Sequence, residues 1–359
     1  MWEYWNCKVT KNCCIFTYII TEALKLKSFL IAFVAAAAVA GAVIAVLPRL
    51  VYPHYFEYAK SISVKPAEMK GIYGKPSKDS EWRCAMCIAA AEGDWDEISR
   101  LTARDRDDRL GTYFHNLACA MQGSLADNLL KYSQSGADGL FLSVDDTSTP
   151  FSIAQSGEVW YRLGAMTMAE RCTMIAMAFS PEKTGEKFLS RLAEINMIKG
   201  DSEAAEKFAG IAGCELEMTD EMSAIQEFVP TVELIHAPAD YRAALKNLLR
   251  SNEANVAAYE YLMCYDLLQK NLPAFVADSD ASKPHSRLYE EAALIYLTVS
   301  DSIDTEGFEH FGISEKTYED FADYTSIRST GSDSYQLLKE KYGDTYWFYF
   351  NFAGKNEKD

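Results

Sequence analysis

The sequence predicts an all-α protein in which one membrane-spanning helix precedes a long array of paired helices. Two observations support this fold class. Residues 28–47 form a run of 20 residues without a single charge. The chain after that run repeats one rhythm: an apolar helix, a turn of glycine and polar residues, and a second helix with alanine and leucine on one face.

The run from Ser28 to Leu47, SFLIAFVAAAAVAGAVIAVL, has the length of a transmembrane helix. At about 1.5 Å per residue it covers roughly 30 Å, the thickness of a bilayer core. A soluble helix of this length normally shows a polar stripe where one face meets water, and this run shows none. Lysines precede it, Arg49 follows it, and Tyr52 lies where interfacial aromatic side chains are found. We therefore expect a single span.

A cleaved signal peptide is the alternative interpretation, because Ala38-Val39-Ala40 resembles a small-x-small cleavage site. The tail before the run would be long for a signal peptide, and the apolar run continues past the cut. The tail has 4 basic and 2 acidic residues, a net charge of +2, which leaves −19 for the rest of the −17 chain. We expect the tail in the cytoplasm and the acidic domain in the periplasm, anchored at the inner membrane.

Four segments follow from this layout. Proline and glycine are frequent just after the span, which is typical of a connector, and one short helix is expected there before Lys65. The segments are a tail over 1–27, the transmembrane helix over 28–47, a juxtamembrane connector over 48–80 and an α-helical repeat domain over 81–359.

The clearest repeat unit is Phe188–Ala212, FLSRLAEINMIKGDSEAAEKFAGIA. Its first helix is expected to end at Lys199, because Gly200 suits a left-handed position and Asp201 caps the next helix. Turn glycines recur at positions 93, 123, 164 and 200, with spacings of 30, 41 and 36 residues. These spacings scatter around the period of helix–turn–helix repeats.

Gly164, Ala169, Ala176 and Pro181, and then Gly200, Asp201, Ala205 and Ala212, resemble the second half of tetratricopeptide repeats. The segments GDWDEI, LACAMQGSLADNL, GLFLSV and RLAEINMIKGDSEAAEKF are similar to an uncharacterised family of membrane proteins in Gram-negative bacteria. That resemblance implies a set of membrane helices followed by this helical region, of which the chain has only the last span. It implies no activity.

The motifs of common catalytic sites are missing. The five histidines are isolated, and the sequence has no nucleophile elbow, P-loop or dinucleotide fingerprint. Asp105, Asp107 and Asp108 alternate with arginines, which fits a solvated turn better than a calcium site. The aromatic end, Tyr346–Phe352, is expected to cap the core of the array. We expect no enzymatic activity, no metal and no cofactor.

Cys84 and Cys87 form a CxxC, but no second pair completes a four-ligand zinc site. Both fall on one face of a predicted helix. Three interpretations remain open: buried small apolar residues, a disulfide in an oxidising compartment, or redox or metal chemistry.

The expected function is a membrane-anchored scaffold that binds another protein in the cell envelope. Stacked helical pairs form a concave groove, and Lys187, Arg191 and Asn196 on the first helix of the clearest unit could hold a carboxylate there. Nucleic acid is not an expected partner, because binding of its phosphates needs clustered lysine and arginine and this chain is strongly acidic. The alternative is an accessory domain of a polytopic membrane enzyme or transporter whose other helices are missing from the chain.

Overall fold

The structure is a computed structural model that describes residues 27, 29, 31, 33–34, 46–181, 183–232, 240–300, 305–329, 331 and 334–353. The chain divides into two compact units, Met1–Pro53 and His54–Asp359. The second unit is all-α, as predicted, and its described residues form no strand.

In the described part of the chain, no helix is both long enough and apolar enough to cross a membrane. The predicted transmembrane helix 28–47 falls mostly on residues 28, 30, 32 and 35–45, which lie outside the described residues.

Twenty α-helices are described from residue 53 onwards, with short 3₁₀ turns at Leu129–Lys131 and Gly136–Gly139. Their bounds are α1 Pro53–Ser61, α2 Pro66–Ile72, α3 Lys78–Glu92, α4 Trp95–Thr102, α5 Arg109–Met121, α6 Leu125–Asn128, α7 Pro150–Gln155, α8 Glu158–Leu163, α9 Met166–Phe179, α10 Glu186–Ile198, α11 Ser202–Ala212, α12 Asp220–Gln226, α13 Tyr241–Ser251, α14 Val256–Leu268, α15 Leu272–Asp278, α16 Arg287–Val299, α17 Thr305–Phe311, α18 Glu315–Ser329, α19 Ser334–Tyr342 and α20 Tyr346–Phe352.

Local turn chemistry sets the pairing of neighbouring helices. Gly93 and Gly200 adopt φ of 71° and 81°, the left-handed region that glycine enters without strain. The next residue caps the following helix: Asp94 accepts from Glu97 N at 3.0 Å, and Asp201 from Ala204 N at 3.0 Å. The predicted Gly-Asp turns are therefore confirmed.

The segment predicted as a connector is largely part of the folded domain. Residues 54–80 belong to the same unit as the helices that follow, and they carry α2 and most of α1. Tyr58 is fully buried, stacks on Phe151 with ring centroids 5.7 Å apart, and its hydroxyl accepts from Gln155 Nε2 at 3.2 Å. Proline and glycine mark the turns here, but these buried contacts are long-range and leave no local sequence pattern.

Contacts far apart in sequence close the second unit on itself. Helices in a linear array contact only their near neighbours. Here α5 and α6 also pack against α14, and α6 packs against α16. Ser286 donates to Asp127 Oδ1 at 2.8 Å across 159 residues, and Asn255 Nδ2 donates to Leu163 O at 2.9 Å. The paired helices therefore form a domain in which early and late helices share one core.

Two turn glycines differ in what surrounds them, and this predicts different tolerance to alanine. A Cβ on Gly164 (φ +89°) would lie 2.9 Å from Phe228 Cβ, whereas a Cβ on Gly200 (φ +81°) would meet nothing within 4 Å. We expect Gly200→Ala to lower the free energy of unfolding by about 1 kcal/mol through backbone strain alone. Gly164→Ala adds overpacking, for a total of roughly 2–4 kcal/mol. Urea unfolding followed by circular dichroism measures both; equal losses would contradict the Phe228 contact.

Candidate functional site

Two of the three residues expected to line a groove, Lys187 and Arg191, lie at a largely buried ion cluster. Arg191 Nη2 lies 3.2 Å from both carboxylate oxygens of Glu158, and its guanidinium stacks 3.7 Å from the Tyr161 ring centroid. Lys187 donates to Gln155 Oε1 at 3.1 Å and lies beside the same cluster. Asn196 is buried and donates to Leu192 O of its own helix at 2.7 Å. Lys187 and Arg191 thus come together, around a carboxylate that the chain itself supplies.

Arg162 completes this cluster from the other side. Its Nε donates to Glu158 Oε1 at 2.9 Å, Nη1 donates to Glu221, and Nη2 donates to the carbonyls of Ala90 at 2.7 Å and Ala91 at 3.1 Å. Burial disfavours the charged form of Glu158, but Arg191 and Arg162 outweigh it and hold the pKa of that carboxyl below its ordinary value. Glu158 therefore carries its negative charge inside the protein.

Because Arg162 is only 4 % exposed, its loss should be severe. We expect Arg162→Met to lower the free energy of unfolding by about 3–5 kcal/mol, since a buried carboxylate and two carbonyls lose their donor. Arg100, which pairs with Glu97 at the surface, is the matched control, and Arg100→Met should change the stability little, because water screens an exposed pair. Both are measured by denaturant unfolding. Similar losses for the two variants would show that burial of Arg162 adds nothing.

A second feature, the C-terminal cleft, consists of two adjoining pockets that share Leu130 and Lys131. The first, the charged pocket, has a volume of about 480 Å³. The second, the aromatic pocket, has about 400 Å³. Pockets that hold ligands commonly have volumes of roughly 300–1,000 Å³. Each of the two pockets is therefore large enough for a small ligand or for side chains of a bound peptide.

The charged pocket carries both signs of charge. Arg287 Nε donates to Glu291 at 2.9 Å, and its Nη2 pairs with Asp320 at 2.9 Å. Burial raises the pKa of the Glu291 carboxyl to about 7, although Tyr346 N–H and Arg287 favour its charged form. The charged residues that line the pocket are Lys131, Arg287, Lys316, Lys341, Asp127, Glu291, Asp320 and Asp344.

The aromatic pocket is bounded by the last two helices. Tyr335 lies 5.6 Å from Phe348 and 5.1 Å from Phe352, measured between ring centroids, and the two phenylalanines lie 4.8 Å apart. Tyr346 and Trp347 of the same helix point into the core, where they are fully buried. The aromatic end of the chain thus caps the core with one face and lines the pocket with the other.

Three thiols and one imidazole elsewhere in the domain are buried. Burial raises the pKa of the Cys87 thiol to about 12 and also raises that of Cys84. Cys119 lies 3.5 Å from His115 Nε2, but burial raises the pKa of this thiol to about 11 and lowers that of His115 to about 4. Among the residues that the structure describes, no group of three or more His, Cys, Asp or Glu side chains could hold a metal ion.

Glu260 is a buried carboxyl that predicts a pH dependence of stability. It is 4 % exposed, and its Oε2 has no hydrogen-bond partner among the residues that the structure describes. Burial raises its pKa to about 7, against N–H donors of Leu125 and Ala126. The folded state therefore binds this proton more tightly than the unfolded chain. The stability contributed by the group is present below about pH 4.5 and is lost as pH rises through about 7, on the order of 3 kcal/mol in total.

We expect Glu260→Gln to raise the free energy of unfolding at pH 8 by about 1–3 kcal/mol and to change it little at pH 4.5, because the amide stays neutral. Urea unfolding across this pH range measures the difference between variant and wild type. Glu206 on α11 is exposed, so Glu206→Gln is the control and should give a difference that is independent of pH. A pH-independent difference for Glu260→Gln would contradict the raised pKa.

The fold and the cleft define a class: an all-α domain of paired helices, closed by contacts between early and late helices, with an open cleft next to its last helix. The chain belongs to DUF6057, a family of unknown function whose model matches residues 5–212 and 214–353. The match agrees with the predicted membership of an uncharacterised family, and it carries no information on membrane insertion or bacterial origin. No curated protein and no solved structure matches the chain.

Sequence reasoning missed the cleft. Its walls come from the 3₁₀ turn at Leu129–Lys131 and from α16, α18, α19 and α20, which are distant in the chain. The one available signal was the alternation of lysines with aromatic residues between Tyr335 and Phe352.

Proposed function

We propose that the chain is a membrane-anchored helical scaffold that binds a partner protein, and that the C-terminal cleft holds an extended segment of this partner. One observation carries the proposal: two pockets of about 480 and 400 Å³ share a wall at Leu130 and Lys131. Two adjoining pockets, one charged and one aromatic, suit a chain of several residues. Small-molecule sites are, in contrast, mostly apolar and enclosed.

The helical pairs support the same function. The hairpin of α10 and α11, with its Gly-Asp turn, is the unit that resembles tetratricopeptide repeats, which form binding surfaces by stacking. We propose a tetratricopeptide-like array whose ends are drawn together by the contacts of α6 with α14 and α16. In this arrangement the binding surface is the cleft beside the last helix, because Lys187 is hydrogen-bonded to Gln155 and Arg191 is paired with Glu158.

The apolar side chains at the start of the chain support the anchor. Eight large apolar residues between positions 29 and 51 are at least half exposed, whereas most of those in the helical domain are buried. Exposure of several large apolar side chains within one short segment favours burial in lipid. The eight are Phe29, Ile31, Phe33, Val34, Val46, Leu47, Leu50 and Val51. We propose a single pass through the inner membrane with the helical domain in the periplasm.

Affinity capture from native membranes tests the scaffold function. The full chain and a chain that starts at Tyr52 should capture the same partner, identified by mass spectrometry. Leu130→Arg places a long charged side chain on the shared wall and should reduce capture about tenfold, or ~1.4 kcal/mol. Leu337, 49 % exposed and outside the lining of both pockets, provides the matched control Leu337→Arg, which should capture normally.

Each alternative result has a definite meaning. Normal capture by Leu130→Arg would remove the cleft as the binding surface. Capture of integral membrane proteins by the full chain alone would favour an accessory domain of a polytopic membrane protein. No specific capture by either chain would end the scaffold proposal.

A further inference from the structure

The aromatic pocket gathers cations that have no acidic partner in the described part of the chain. Arg106 lies over the Tyr132 ring, with Cζ 5.5 Å from its centroid, and Lys339 Nζ lies 5.9 Å from that of Tyr335. Lys131 donates to the neutral Asn128 Oδ1 at 2.8 Å. In the charged pocket, by contrast, Arg287 and Lys341 are paired with carboxylates. Cations without an acidic partner among the described residues are unexpected in a chain whose acidic residues outnumber its basic ones by 52 to 35.

The pocket has one carboxylate of its own, and this group is already engaged. Asp107 accepts a hydrogen bond from the Ser133 hydroxyl. Three basic side chains therefore line the same pocket as the rings of Tyr335, Phe348 and Phe352, together with one acid that is already hydrogen-bonded. A ligand that is complementary to this pocket has an apolar group that contacts the rings and a negative charge that pairs with the cations.

Resting on the scaffold function proposed above, we propose that the aromatic pocket binds a large apolar side chain of the partner segment together with an adjacent carboxylate. The carboxylate is either the C-terminus of that segment or an Asp or Glu side chain. The rings take the apolar group by area burial and edge contacts, while Arg106 and Lys339 bind the acid.

A peptide fits this cleft better than the other ligands that combine a negative charge with apolar surface. An acyl chain that continued past Lys131 would enter the charged pocket, where eight of the thirteen lining side chains are charged. A nucleic acid would bring its phosphates close to Asp127, Asp320 and Asp344 of the same pocket. A peptide backbone, in contrast, can exchange hydrogen bonds with both signs of charge along the cleft.

The test is a synthetic array of hexapeptides with varied last four positions, each made with a free C-terminal carboxylate and as the amide, probed with the purified full chain. We expect selection of peptides in which an aromatic or large aliphatic residue adjoins a carboxylate. Loss of binding in the amide series assigns the C-terminus as the source of that carboxylate, whereas retention assigns a side chain. Selected peptides without a carboxylate next to the apolar residue would overturn the proposal, as would a wild-type chain that selects none.

The double variant Arg106→Gln/Lys339→Gln tests the residues themselves. Its affinity for selected peptides should fall at least tenfold, and its remaining binding should depend less on salt, because two charged contacts are gone. Lys207→Gln/Arg250→Gln, at exposed positions of α11 and α13, is the control of equal charge and should bind normally. Unchanged affinity in the first double variant would overturn the assignment.

The two proposals fail separately. If Leu130→Arg no longer captures the natural partner while Arg106→Gln/Lys339→Gln still does, the cleft binds a partner but the aromatic pocket does not recognise a carboxylate. If both variants keep the partner, both proposals fail.

Discussion

A single buried guanidinium holds much of the domain in place. Arg162 contacts the end of α3 through two carbonyls, Glu158 on its own helix and Glu221 on α12, with sequence separations of 72 and 59 residues to the distant partners. Moving this cation out of water is costly, so it requires all of these acceptors at once. Glu158 in turn binds Arg191 on α10. The relative positions of four helices therefore follow from the geometry of one ion cluster.

The same cluster explains what the sequence could and could not predict. The turns at Gly93-Asp94 and Gly200-Asp201 depend on residues that are adjacent in the chain. The local sequence is therefore sufficient to predict them. Arg191 pairs with Glu194 of its own helix, but its buried partner is Glu158, 33 residues away, and no helical periodicity relates Arg191 to Glu158. Arg191 was therefore expected at an exposed groove, ready to hold a carboxylate. The structure does place a carboxylate beside the Arg191 guanidinium, as expected. That carboxylate is Glu158 of the chain itself and not a group of a bound partner.

The C-terminal helix shows how one short segment serves both the core and the cleft. Tyr346 donates to Leu267 O at 2.8 Å, Tyr349 donates to Leu268 O at 2.9 Å, and Trp347 donates to Glu291 O at 3.0 Å. Positions 346, 347 and 349 share the inner face of the helix, whereas 348 and 352, four residues apart, share the outer face. Aromatic composition alone predicted a cap. The division into two faces depended on where α14 and α16 lie, which a single segment cannot reveal.

Charge limits how the cleft can select a partner. A chain with a net charge of −17 repels acidic segments at a distance, so long-range steering does not bring them to Arg106 and Lys339. Screening confines that repulsion to about 8 Å at physiological ionic strength, and within this range the local cations dominate. A carboxylate is then favoured only when the apolar group beside it already contacts the rings. The proposed recognition in this cleft would therefore require both groups together, which suits the lasting contact of the proposed scaffold better than a fast electrostatic encounter.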